Sequence, residues 1–170
     1  MIEACVCQSL NCISYGLYIV TSANGEKRNG LVVNTAFQVS ADPAKLAVCI
    51  CKNSYTHGII TTSNTFALMP LEQQTPLVFI GNFGFRTGRN FDKFAKVPFE
   101  LGKTGSPLVR EHTLSYLEAN VTQTVDVGTH TLFIGNVVDG QIFKEKGTPL
   151  TYEYYHTVIK GKTPTGATHL

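Results

Sequence analysis

Residues 29–57 read NGLVVNTAFQVSADPAKLAVCICKNSYTH. Two apolar runs of strand length are joined by Ala41-Asp42-Pro43, a turn signal in which proline presets the backbone and aspartate tolerates the reversal. The first run, residues 31–40, alternates. Leu31, Val33, Phe37 and Val39 share one side, Asn34, Ala36, Gln38 and Ser40 the other, and Thr35 is the polar exception on the apolar side. This pattern predicts one strand with a wet or ligand-facing side. The second run, residues 46–51, is apolar on both sides, as expected of a strand buried between layers or between subunits. It ends in Lys52-Asn53-Ser54-Tyr55-Thr56-His57, a cation followed by short hydroxyl and amide side chains. A short helix is predicted over residues 56–62, with Thr56 placed to cap it.

Working outward, most of the chain reads as strand. Residues 13–21 (ISYGLYIVT) are branched and aromatic and stop at Ala23-Asn24-Gly25, and residues 65–69 form another apolar run. Residues 81–94 (GNFGFRTGRNFDKF) read as an aromatic-anchored loop leading to a short helix. Residues 113–123 and 130–138 are two long strands joined as a hairpin across Asp126-Val127-Gly128. The tail from Thr151 combines a helical turn (YEYYHTVIK) with a Gly/Pro/Thr-rich end. No repeat or linker divides the 170 residues, so residues 1–170 are expected to form a single domain, mainly β with a few short helices. Many strands with few helices imply a closed or partly closed β-barrel.

Composition narrows the function. Hydrophobic residues make up 43% and charged residues 15%, which leaves apolar surface to spare for a subunit contact. A formal charge of +2 with no Lys/Arg run argues against nucleic acid. No apolar run reaches the ~20 residues that span a membrane. The N-terminus lacks the basic and apolar regions of a secretion signal, and five cysteines without one point to a reducing cytoplasm.

Several constellations could carry chemistry. Lysine, hydroxyls and the amides of a helix start make Lys52 to His57 a candidate anion site, or an ordinary turn in which Ser54 or Thr56 caps the helix. Asn34, Thr35 and Gln38 could offer amide and hydroxyl partners to a heteroaromatic ring, or bond across strands. Cys5-x-Cys7 and Cys49-x-Cys51 have strand-face spacing, not the C-x2-C spacing of zinc or iron sites, so no metal is expected. The histidines are scattered, and the nucleophile-elbow, Walker and dinucleotide glycine patterns are absent. His130 stands at a strand start after a turn, facing either a pocket or a barrel rim.

These residues together resemble a known family. The ordered combination is residues 13–22 (ISYGLYIVTS), Asn34-Thr35-x-Phe37-Gln38, Asn53-x-x-Thr56-His57, Phe83-Gly84-Phe85-Arg86, Asp92-Lys93-Phe94, residues 102–105 (GKTG), residues 128–135 (GTHTLFIG), Tyr155-His156 and residues 160–164 (KGKTP). It is similar to the flavin reductase-like family of FMN-binding split β-barrels, in the branch of ferric reductases, flavoredoxins and the flavin domain of high-molecular-weight rubredoxin. The resemblance implies a homodimer that binds FMN (or FAD) and takes electrons from NAD(P)H. It then passes them to free flavin, ferric chelates or a redox protein. A flavoredoxin-like carrier reduced by a protein, or a non-catalytic FMN-binding module, are the alternatives. Carried over by residue, Asn34 and Thr35 lie along the flavin ring with Gln38 nearby. Lys52, Asn53, Ser54 and Thr56 surround the phosphate. Phe85, Arg86 and Thr87 close over the flavin, and His130 is the catalytic residue on the nicotinamide side. Cys51 stands where relatives often carry an amide, and Cys5, Cys7 and Cys12 lie outside the shared pattern. With no C-x2-C pairs the chain lacks a rubredoxin module and is expected to use a separate acceptor.

Overall fold

The computed structural model describes residues 4–164 and residue 167. The first half runs α1 (Ala4–Leu10), β1 (Tyr18–Asn24), β2 (Lys27–Val33), β3 (Ala36–Ala41), β4 (Ala44–Cys51), α2 (Tyr55–Ser63) and β5 (Thr65–Pro70). The second half runs α3 (Leu77–Gly84), β6 (Glu100–Leu101), β7 (Pro107–Leu108), β8 (Ser115–Asp126), β9 (His130–Ile142) and α4 (Tyr152–Thr157).

Seven strands form one antiparallel sheet in the order β2-β1-β5-β8-β9-β4-β3. Its two edges, β2 and β3, are consecutive in the chain and joined only by Asn34 and Thr35. A sheet whose edges are tethered so closely has to roll up, and it closes into a barrel that stays split where no ladder joins β2 to β3. Strand alternation then sorts the core. Val20, Val48, Ile50, Phe66 and Phe133 fill the barrel, whereas Ile19, Met69, Phe79, Phe83 and Tyr155 pack on its outer side with α3 and α4.

Five expectations need correction. Residues 31–40 are two strands, not one, because the chain turns at Asn34-Thr35; beyond the turn Phe37 and Val39 are exposed at 48% and 43%. The strand expected from residue 13 begins at Tyr18, since Gly16 and Leu17 pair instead with Thr151 and Leu150. Helix α2 is capped by Ser54, whose Oγ accepts from the His57 amide at 3.1 Å; Thr56 is buried within it. The helix near residues 81–94 precedes the loop as α3, because Gly81 and Gly84 sit inside it. After it, Asp92 Oδ1 accepts from the Phe94 amide at 2.9 Å and turns the chain. Cys5 and Cys7 fall in α1, not in a strand. Of the Gly/Pro/Thr-rich end, residues 165, 166 and 168–170 lie outside the described residues.

The outer face of β8 carries a buried carboxylate. Glu118 is 0% exposed and accepts from the Lys103 amide at 2.8 Å, the Thr104 amide at 2.9 Å and the Thr104 hydroxyl at 2.5 Å. These charge-assisted bonds hold the loop between β6 and β7. Glu118→Ala strands its donors and is expected to cost about 3 kcal/mol, read as a lower urea midpoint. A loss below about 1 kcal/mol would show that the loop is held otherwise.

Candidate functional site

Helix α2 begins where β4 ends. The Lys52 amide still donates to Thr129 O beside β9, then the Ser54 amide donates to Cys51 O and turns the chain. Extended Ser54 (φ −74°, ψ 147°) starts the helix, which brings its unsatisfied amides and partial positive charge to the rim of a cleft. The inner end of this cleft is a half-open pocket with about 590 Å³ of empty space, its solvent-filled mouth included. It is walled by Val33, Asn34, Cys49, Cys51, Phe85, Tyr152 and, at the start of β9, His130. Cys51, Gly84 and Phe85 line both ends, and past them the cleft opens into a polar depression with Asn53, Ser54, Thr56, Arg86 and Thr87.

Eight of the expected site residues therefore meet in one continuous cleft: Asn34, His130, Asn53, Ser54, Thr56, Phe85, Arg86 and Thr87. Thr35 sits beside it and donates to Asn34 Oδ1 at 3.2 Å. Two residues are placed elsewhere. Gln38 lies beyond the turn at residues 34–35, on a separate depression with Phe37 and Val137, and donates to Ser40 O at 3.1 Å. Lys52 extends away from the cleft, its Nζ 2.6 Å from Asp126 Oδ1, and lines the neighbouring surface.

The buried cation of the cleft is Lys93. It is 4% exposed, and its ammonium donates to Gly30 O at 2.8 Å and Phe83 O at 2.9 Å. Burial lowers its pKa from the ordinary 10.5 to about 8. Two carbonyl dipoles solvate the charge without neutralising it, so an anion in the polar depression would be favoured. Beside it, Asn29 Nδ2 donates to the Thr56 hydroxyl at 2.9 Å, fixing that side chain.

The remaining wall comes from the C-terminal part of the chain. Tyr155 Oη donates to Lys162 O at 2.9 Å, and Tyr152 Oη meets Thr163 Oγ1 at 2.7 Å. Lys162, Thr163 and Pro164 are thereby held along both ends of the cleft. Burial raises the pKa of both phenols, which keeps them neutral. It also raises that of the Cys49 thiol, helped by Cys51, so Cys49 is a protonated wall and not a thiolate. Burial, then the charge of Lys52, lowers the pKa of His57, whose Nε2 meets Thr131 Oγ1 at 2.8 Å. Among the described residues no group of three or more His, Cys, Asp or Glu could hold a metal. No helix of the described residues is long and apolar enough to cross a membrane.

Sequence reasoning missed Lys93, Asn29, Tyr152 and Lys162 as cleft residues. Asp92-Lys93-Phe94 and residues 160–164 stood out only as matched stretches, and nothing local marks them as lining a site. The finished arrangement suits a flat, largely apolar group at the inner end and an anion at the outer end.

Comparison with known proteins agrees with this shape. The chain is 47% identical over 156 residues to a ferric-chelate reductase (NAD(P)H) of Archaeoglobus fulgidus, covering 92% of each chain. It is 46% identical over 157 residues to a high molecular weight rubredoxin of Moorella thermoacetica, covering 92% of this chain and 68% of that one. The fold matches an FMN-binding protein from Thermus thermophilus, solved with p-hydroxybenzaldehyde bound, at TM-score 0.70 and 25% identity over 79% of this chain and 74% of the other. Residues 10–159 match the flavin reductase like domain, and the chain belongs to that family.

Proposed function

We propose that the chain is an FMN-dependent oxidoreductase that takes electrons from NADH or NADPH and delivers them to free flavin, a ferric chelate or a redox protein. The observation that carries this reading is the continuous cleft, apolar beside Asn34 and His130 and cationic beside Lys93 and Arg86. Similarity to an NAD(P)H ferric-chelate reductase supports the donor and the ferric acceptor, and similarity to a rubredoxin supports a protein acceptor.

FMN, when bound, supplies the two-electron chemistry, and the protein supplies position and charge. Asn34 and Thr35 offer polar contacts to the ring edge. Neutral Tyr152, Phe85 and Cys49 exclude water from its faces. His130, with Nδ1 at 2.8 Å from Thr129 Oγ1, is held to orient the nicotinamide. Asn53, Ser54, Thr56, Arg86 and Thr87 bind the phosphate, with Lys93 as the buried counter-charge in place of Lys52. The chain works as one domain in the cytoplasm and as a homodimer. Exposed Phe37 and Val39 on edge strand β3 support the dimer, because an uncovered apolar edge favours pairing.

Anaerobic mixing with NADH or NADPH is expected to bleach the flavin band within seconds. His130→Ala should slow this at least about tenfold while leaving FMN retention intact; an unchanged rate would remove His130 from the reaction. FMN affinity should fall about tenfold as pH rises through about 8, because Lys93 loses its charge there. Without ligand the sign reverses: the lowered pKa means that the fold gains stability from about pH 8 towards 10.5. In Lys93→Met both dependences should vanish. If Lys52→Ala weakens FMN more than Lys93→Met does, the phosphate belongs to the outer lysine. Sedimentation should give twice the chain mass, and Phe37→Lys should shift it towards one.

A further inference from the structure

His156 and Thr163, both in matched stretches of the sequence, have no task in binding the flavin. Tyr152 and His156 stand one turn apart on α4, with ring centroids 4.3 Å apart. Among the described residues Tyr152 alone lines both the inner end of the cleft and a groove on the outer surface, where it stands with Tyr15, Glu153 and His156. Beyond α4 the chain hooks back at Lys160, whose φ is 60°. Gly161 then lies so close to the Tyr155 ring that a Cβ there would fall 2.1 Å from Cζ, so glycine is what lets the strip lie down. The hook sets Gly161 O 3.0 Å from His156 Nδ1. It also sets Thr163 Oγ1 between Tyr152 Oη, at 2.7 Å, and His156 Nε2, at 3.4 Å.

The directions of these bonds follow from the donors available. A carbonyl only accepts, so His156 Nδ1 carries hydrogen, and in the neutral ring Nε2 is the acceptor. The single Thr163 hydroxyl hydrogen then goes to Nε2, and Thr163 Oγ1 accepts from Tyr152 Oη. Both bonds point from the cleft towards the groove. The ferric branch of the proposed reaction leaves a proton to remove in that direction. One NADH and two ferric ions give NAD⁺, two ferrous ions and one proton, because a hydride is a proton with two electrons and the ferric ions take only the electrons.

We propose that Tyr152, Thr163 and His156 form a relay that carries this proton from the cleft to the outer groove. Tyr152 Oη takes a proton from the cleft as it passes its own to Thr163 Oγ1. Thr163 passes its own to His156 Nε2, and the imidazolium releases a proton to solvent in the groove. The hydroxyls then rotate back, and no member of the relay is changed over the cycle. His156 touches no ligand and acts through Tyr152. The inference rests on the flavin reading above, with a ferric chelate as oxidant.

The test reduces the FMN-loaded chain anaerobically with NADH and then mixes it with ferric EDTA, for the natural sequence, Thr163→Val and His156→Ala. Bleaching by NADH should stay within about twofold in both variants, whereas return of the flavin band with ferric EDTA should slow about tenfold. The double variant should be no slower than either single change, because links in series do not add. Free imidazole should restore His156→Ala but not Thr163→Val, a rescue that a histidine needed only for packing would not show. In the deflavinated chain, nitrogen NMR should find the neutral His156 ring protonated on Nδ1, and Thr163→Val should move the Nε2 resonance. Return of the band at the natural rate in Thr163→Val overturns the relay, as does hydrogen on Nε2 in the neutral ring. Equal slowing of both half-reactions without imidazole rescue overturns it too, leaving these side chains a packing role. A chain that binds no flavin would sink the flavin reading and the relay with it, whereas normal bleaching with unaltered reoxidation sinks the relay alone.

Discussion

Asn34 and Thr35 are all that separates the strand at one edge of the sheet from the strand at the other. The three Cα–Cα steps from Val33 to Ala36 span at most about 11 Å, so the edges cannot drift apart and the sheet has no flat alternative. Thr35 O accepts from the Cys49 amide at 3.0 Å, which ties the link to β4 instead of leaving it as a loose loop. Rolling the sheet creates the barrel core, and the corner where it fails to close puts buried Asn34 at the inner end of the cleft. The fold's weakest closure and its binding cavity are thus the same place.

Much of the architecture was legible because its signals are local. Strands β4, β5, β8 and β9 follow the apolar runs, and the hairpin at Asp126-Val127-Gly128 forms where turn residues predict it. The link at residues 34–35 was invisible for a definite reason. Inserting two residues preserves a period of two, so Leu31, Val33, Phe37 and Val39 keep one parity although the chain has turned between them. The same error carried Gln38 into the expected site.

Charge was the least legible property. Lys52 reads as an anion ligand because it precedes a helix start, yet its partner Asp126 is 74 positions away. Lys93 stands out in the sequence only within the matched stretch Asp92-Lys93-Phe94, yet it is enclosed by carbonyls of Gly30 and Phe83, on two different elements. Local pattern can nominate a cation but cannot say which way it faces. What the ordered family motifs supplied was the set of stretches that converge; the tertiary structure decided which side chain in each stretch enters the cleft.

The wall built from residues 161–164 has a consequence for how the molecule assembles. Every strand of the barrel precedes it in the chain, and it is bonded to α4 through Tyr152, Tyr155 and the contact between His156 Nδ1 and Gly161 O at 3.0 Å. The ladders of the barrel do not include this wall, so the sheet can close before the wall docks, with the cavity still open on one flank.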